Sequence, residues 1–152
     1  MPPGEELPAT HLQRYAGWTL LEIGFLTALA AAIIVFFGPE AWWSQDGVRI
    51  TVTLILLVAL ASYLVFYMAI RKLRDHDDAL VDERDLVILN RSGVGVGGAM
   101  MVVMAVWMIA LVEAYNDTGM VPSYYLYLVF WSLVMTNVIA SLAGILMAYR
   151  RA

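Results

Sequence analysis

Three polar side chains lie inside long apolar stretches of the chain, where ionisable and amide groups are rare: Glu22, Glu113 and Asn137. If those stretches cross a bilayer, each acid costs about 2.5–3.5 kcal/mol on insertion scales, so it is a candidate for moving ions or protons. Glu22 is close enough in sequence to one membrane boundary to pair with Arg150 or Lys72. Glu113 lies near the opposite boundary, where its carboxylate can reach headgroups or water, so a solvated side chain is the favoured interpretation. For Asn137, hydrogen bonding between helices is favoured over ligand binding.

A second group of chemically active side chains is acidic. Asp82-Glu83-Arg84-Asp85 follows Asp75 and Asp78 at spacings that place the aspartates along one stripe of a helix. Carboxylates could bind calcium or magnesium, but the alternating ligands, central glycine and final glutamate of a calcium loop are missing. Asp82 as a helix N-cap, with Glu83 and Asp85 near the positive end of the helix dipole, explains the tetrad more simply.

Several kinds of chemistry are not expected from this composition. The chain has no cysteine, which removes disulfides and thiolate ligands, and its two histidines, His11 and His76, lie far apart in the sequence and form no paired-histidine motif. It has no nucleophile elbow and no phosphate-binding loop. We therefore expect no catalytic residues, no cofactor and no metal site. The formal net charge of −4 also argues against a nucleic-acid partner.

The elements that must position these residues are membrane helices. Of the 152 residues 62% are hydrophobic and 14% charged, whereas soluble domains average about 45–50% and about 25%. A crossing needs about 20 apolar residues to span about 30 Å of hydrocarbon. The stretches that qualify are residues 18–37, 50–70, 94–114 and 124–149.

The predicted fold is therefore all-α, a polytopic membrane protein with a bundle of four transmembrane helices. The helical domain covers residues 16–149 and follows a mobile tail at 1–15. Residues 71–93 form the connection between the second and third helices, and short loops at 38–48 and 115–123 join the others.

The basic residues predict the orientation of the bundle, because cytoplasmic loops retain an excess of Lys and Arg. Eight of the nine fall on one side, and only Arg49 falls on the other. Both termini and the 71–93 connection are therefore predicted to be cytoplasmic. Aromatic residues expected at the outer headgroup level are Trp42, Trp43, Tyr115, Tyr124, Tyr125 and Tyr127.

Small residues recur at spacings that allow helices to approach closely. Gly93 and Gly97 form one such pair, and Ala140 and Gly144 form another. They could join helices within one chain or between two copies, and the spacing does not separate these alternatives. Methionines at 100, 104 and 108 could bind Cu(I), but filling of irregular helix interfaces is favoured.

The acidic tetrad also carries a resemblance. Asp82-Glu83-Arg84-Asp85, followed by Ile88, Arg91 and Ser92 and then by an apolar crossing, resembles the signature of a family of uncharacterised bacterial and archaeal integral membrane proteins. In that family the tetrad lies on the cytoplasmic side just before a membrane helix. The resemblance implies a multi-pass protein of the prokaryotic cytoplasmic (inner) membrane, and the family has no assigned activity.

Two functions are expected from these observations. The first is a non-catalytic membrane protein of unknown activity that acts through protein or lipid contacts of residues 71–93, as a homodimer or as a regulatory or accessory subunit. Its partners would be membrane lipids, a second copy, or another membrane or cytoplasmic protein. The alternative is a small proton- or cation-conducting transporter or channel that uses Glu22 and Asn137.

Overall fold

The regular elements of the computed structural model, which describes residues 11–75 and 94–151, are all α-helices. They are α1 (His11–Phe37), α2 (Pro39–Ser44), α3 (Asp46–Asp75), α4 (Val94–Tyr115) and α5 (Ser123–Arg151). In these ranges four helices, α1, α3, α4 and α5, are long and apolar enough to cross a membrane. The predicted all-α fold with four membrane-spanning helices is confirmed.

Helix α1 begins earlier than the hydropathy predicts. Residues 11–15 were expected in the mobile tail, but they form the first turns of the helix. Leu12 and Ala16 lie one turn apart and are both buried, so this segment packs against the bundle. Residues 1–10 lie outside the described ranges.

The predicted loop at 38–48 is also largely helical. Gly38 has a φ of 80°, a value that glycine adopts readily. The chain changes direction at this residue, after the end of α1. Pro39 then begins the short helix α2, where its missing N–H costs no hydrogen bond. Helix α3 starts at Asp46 and continues past the expected end at Ile70 to Asp75.

Helix α1 occupies the centre of the arrangement, with α3 and α5 packed against it, while α4 packs mainly on α5. Tyr15 near the start of α1 stacks on Phe66 near the end of α3, with ring centroids 5.6 Å apart. Leu146 near the end of α5 lies beside the same first turns of α1. We call this end, which carries Arg14 and Arg150, the basic end, and the opposite end, which carries α2, the aromatic end.

The buried core is formed by α1, α2, α3 and α5. Its largest fully buried side chains are Ile23, Trp42, Val52 and Leu142, one from each of these helices. In contrast, no side chain among residues 96–115 of α4 is buried. Helix α4 therefore packs on the outside of the core and contributes no buried side chain from residues 96–115 to it.

Candidate functional site

Glu22 is hydrogen-bonded across the α1–α3 interface. The Ser62 hydroxyl donates to its Oε1 at 2.8 Å. The carboxylate remains exposed on the surface of the helices. The expected pairing with Arg150 is not formed, because Glu22 contacts α3 whereas Arg150 is on α5; the side chain of Lys72 lies outside the described set. A serine hydroxyl is thus the partner of this acid.

Asn137 lies at a different interface, between α4 and α5. Its Nδ2 donates to the Met100 sulfur at 3.7 Å, and the Ser141 hydroxyl donates to the Asn137 carbonyl at 2.7 Å. Nearer the aromatic end, Trp107 Nε1 donates to the Ser132 hydroxyl at 2.8 Å. These contacts fasten α4 to α5, as polar side chains commonly do between membrane helices.

The structure does not bring the three intramembrane polar residues together. Glu22 and Asn137 contact different helix pairs, and both side chains are exposed. Glu113 is also exposed, and within the described ranges it forms no hydrogen bond or ion pair. In the part of the chain that the structure describes, no three His, Asp or Glu side chains are grouped as a metal site would require.

At the aromatic end, Arg49 is held by three interactions that the sequence pattern did not reveal. Its Nη2 donates to Asp46 Oδ1 at 2.6 Å, and its Nη1 donates to the Trp43 carbonyl at 3.1 Å. Its guanidinium carbon lies 5.2 Å from the centroid of the Trp43 ring, within cation–π range. The basic residue that departs from the charge asymmetry therefore has a structural role, namely locking α2 onto the start of α3.

Tyr127 of α5 completes this cluster. Its ring centroid lies 5.6 Å from those of both Trp42 and Trp43. Its hydroxyl is 2.5 Å from Thr53 Oγ1. Because the Thr53 hydroxyl already donates to the Arg49 carbonyl at 2.7 Å, the Tyr127 hydroxyl is the donor to Thr53.

Trp42, predicted to lie at the outer headgroup level, packs inside the protein at the aromatic end. Its side chain is fully buried, and its Nε1 has no hydrogen-bond partner in the described ranges. The ring therefore closes the aromatic end of the core between α1, α3 and α5. The sequence signal for the different burial of Trp42 and Trp43 was their adjacency, because neighbouring residues on a helix point in different directions.

The predicted helix-packing residues have different environments. A Cβ atom on Gly97 or on the adjacent Gly98 would meet nothing within 4 Å, so these glycines mediate no close helix approach within the described chain. Ala140 and Gly144 are half-buried on α5. Gly93 lies outside the described residues. The candidate cytoplasmic motif, Asp82, Glu83, Arg84 and Asp85, lies outside the described ranges.

Comparison of the chain with protein-family models, with curated proteins and with solved structures finds no match. The resemblance carried by residues 82–92 therefore stays a prediction. Assignment of a function depends on the geometry alone.

Proposed function

We propose that this is a non-catalytic, multi-pass membrane protein that functions by association, with α4 as its contact surface for a second copy. The charged 71–93 connection provides the accompanying contacts with protein or lipid. The observation that carries the proposal is the position of α4, which packs on one neighbour and contributes no buried side chain among residues 96–115.

The free surface of α4 is suited to another membrane helix. Met101 is 76% exposed and Ile109 is 69% exposed, while the one charged residue of the helix, Glu113, lies near its end. Gly98 and Ala105 lie about two turns apart on one exposed face. Since helix association in a bilayer depends on close packing, small residues that are unused within the chain favour contact with a second helix.

Single-cysteine cross-linking tests this surface, because the natural chain contains no cysteine. Ala105→Cys is expected to give a disulfide-linked dimer in native membranes under mild oxidation. Val65→Cys is the matched control, since Val65 is 54% exposed on α3, away from α4. Equal cross-linking at both positions, no cross-linking at either, or a product that contains only a different protein would overturn the homodimer.

The contribution of the connection is tested separately. Asp82→Ala with Asp85→Ala is expected to leave membrane insertion intact and to reduce recovery of a co-purified partner. Loss of insertion with unchanged partner recovery would instead identify the tetrad as a helix cap. Glu113→Ala is a control in which an exposed acid is removed elsewhere in the chain.

A second candidate is a proton or cation pathway, and the Glu22–Ser62 pair favours it. An exposed carboxylate that accepts a hydroxyl hydrogen bond at 2.8 Å is unusual on a membrane helix and is well suited to exchange a proton or bind a cation. Flux into reconstituted vesicles should then fall in Glu22→Gln and persist in Glu113→Gln. Absence of proton, monovalent-cation and Cu(I) flux in the unmodified protein would eliminate this candidate.

A further inference from the structure

A groove of about 440 Å³ runs between α1 and α5 at the basic end. Its apolar wall includes Leu20 and Leu21 of α1 and Leu146 of α5, and Arg14 lies at its rim. The volume is in the range of about 300–1,000 Å³ that small-molecule sites occupy.

Arg14 lines this groove, and Arg150 lies one helical turn beyond its lining residue Leu146. Arg14 precedes the lining residue Trp18 by one helical turn. Because the start of α1 lies beside the end of α5, both arginines lie at the basic end of the bundle. Both side chains are exposed, and neither forms an ion pair or a hydrogen bond within the part of the chain described.

Among the described residues, no acidic side chain compensates the charge of Arg14 and Arg150. The lining residues include no carboxylate. The one ion pair formed among the described residues, Arg49 with Asp46, is at the opposite end. A ligand that neutralises Arg14 and Arg150 must therefore supply its own negative charge, and guanidinium groups bind phosphate with particular geometric complementarity.

Apart from Gln13 and Arg14, the residues that line the groove are aliphatic or aromatic side chains and Gly17. A Cβ on Gly17 would meet nothing within 4 Å, so this glycine leaves open space between the helices. Trp18 is 73% exposed beside it, where an indole ring favours the headgroup level. A ligand that matches both the basic rim and the apolar wall has an anionic headgroup and a hydrocarbon chain, which are the parts of an anionic phospholipid.

We propose that this groove binds an anionic phospholipid, with its phosphate at Arg14 and Arg150 and one acyl chain along Gly17, Leu21 and Leu146. Basic pockets between membrane helices recognise lipid headgroups by this combination of charge and apolar surface. The charge asymmetry of the sequence predicts that the bound lipid belongs to the cytoplasmic leaflet.

The test compares binding of phosphatidylglycerol and phosphatidylcholine with identical acyl chains to the full-length protein, by native mass spectrometry. Phosphatidylglycerol should bind more tightly, and Arg14→Gln or Arg150→Gln should each weaken it about fivefold, as expected for one basic residue near an anionic surface. Arg49→Gln is the matched control, because it removes the same charge from the aromatic end. Circular dichroism verifies that each variant is folded.

A further variant separates a lipid from free phosphate. Gly17→Leu fills the groove and keeps both arginines, so it should weaken phosphatidylglycerol binding and leave any affinity for inorganic phosphate unchanged. Equal binding of the two lipids, an equal effect of Arg49→Gln, or competition by inorganic phosphate with no effect of Gly17→Leu would overturn the proposal.

Discussion

At the residue scale, Trp42 and Trp43 show how adjacent identical side chains acquire different roles. Trp42 is fully buried in the core. Trp43 is half-buried and has Arg49 over its ring. A large aromatic group in the core stabilises through packing, whereas a cation–π contact at an exposed edge is worth about 0.5–1 kcal/mol. The two positions should therefore respond differently to truncation.

We expect Trp42→Ala to lower the free energy of unfolding by about 3–5 kcal/mol, because it leaves a cavity in the core. Trp42→Phe should retain most of the stability, since Nε1 has no hydrogen-bond partner in the described ranges to lose. Unfolding in mixed micelles, followed by circular dichroism, measures both. Trp43→Ala is the control, and a loss as large as that of Trp42→Ala would contradict the packing argument.

The hydroxyl pair of Thr53 and Tyr127 should couple α3 to α5. A double-mutant cycle with Thr53→Val and Tyr127→Phe is expected to give a coupling energy of about 0.6–1.7 kcal/mol, the range for hydrogen bonds between membrane helices. Thr51→Val combined with Tyr127→Phe is the matched control, because the Thr51 hydroxyl donates to the Gly47 carbonyl of its own helix. A coupling near zero in the first cycle would refute the interhelical role.

At the element scale, α4 combines a clear membrane-helix sequence with little involvement in the core. Its contacts are concentrated on α5, where Trp107 and Met100 meet Ser132 and Asn137. Hydropathy depends on the residues of the helix alone. It therefore does not distinguish a helix at the edge of the bundle from a helix at its centre. The consequence is that neighbouring residues on α4 should contribute unequally to stability.

Val102 and Val103 provide the comparison. Val102 is 64% exposed, whereas Val103 is half-buried on the side towards α5. In dilute detergent, Val103→Ala should lower the free energy of unfolding by about 1 kcal/mol through lost packing, and Val102→Ala should change it by less than about 0.5 kcal/mol. Equal effects in chemical unfolding would mean that α4 is oriented differently.

At the scale of the whole molecule, the distribution of basic residues should determine orientation. A single cysteine introduced at Asp117, in the turn between α4 and α5, is expected to react with a membrane-impermeant maleimide from outside the cell. A cysteine at Leu80 should react only after the membrane is opened. Replacing Arg71, Lys72 and Arg74 with Gln should yield a mixture of the two patterns. The opposite labelling in the unsubstituted background would reverse the assigned topology.

The sequence alone determined that the chain forms four long membrane helices, and where the polar groups lie along them. Helix formation in lipid follows from local hydropathy and length, since each segment must satisfy its own backbone hydrogen bonds. The same reasoning missed α2 and the first turns of α1, because packing of Trp42 and Leu12 stabilises them as helix.

Only the tertiary structure decided which polar groups meet. Glu22 contacts Ser62 rather than Arg150, and Asn137 contacts Met100. It also decided that α4 lies outside the core and that Arg14 and Arg150 lie at the same end of the bundle. The physical reason is that the order and rotation of helices in a bundle depend on side-chain packing between distant segments.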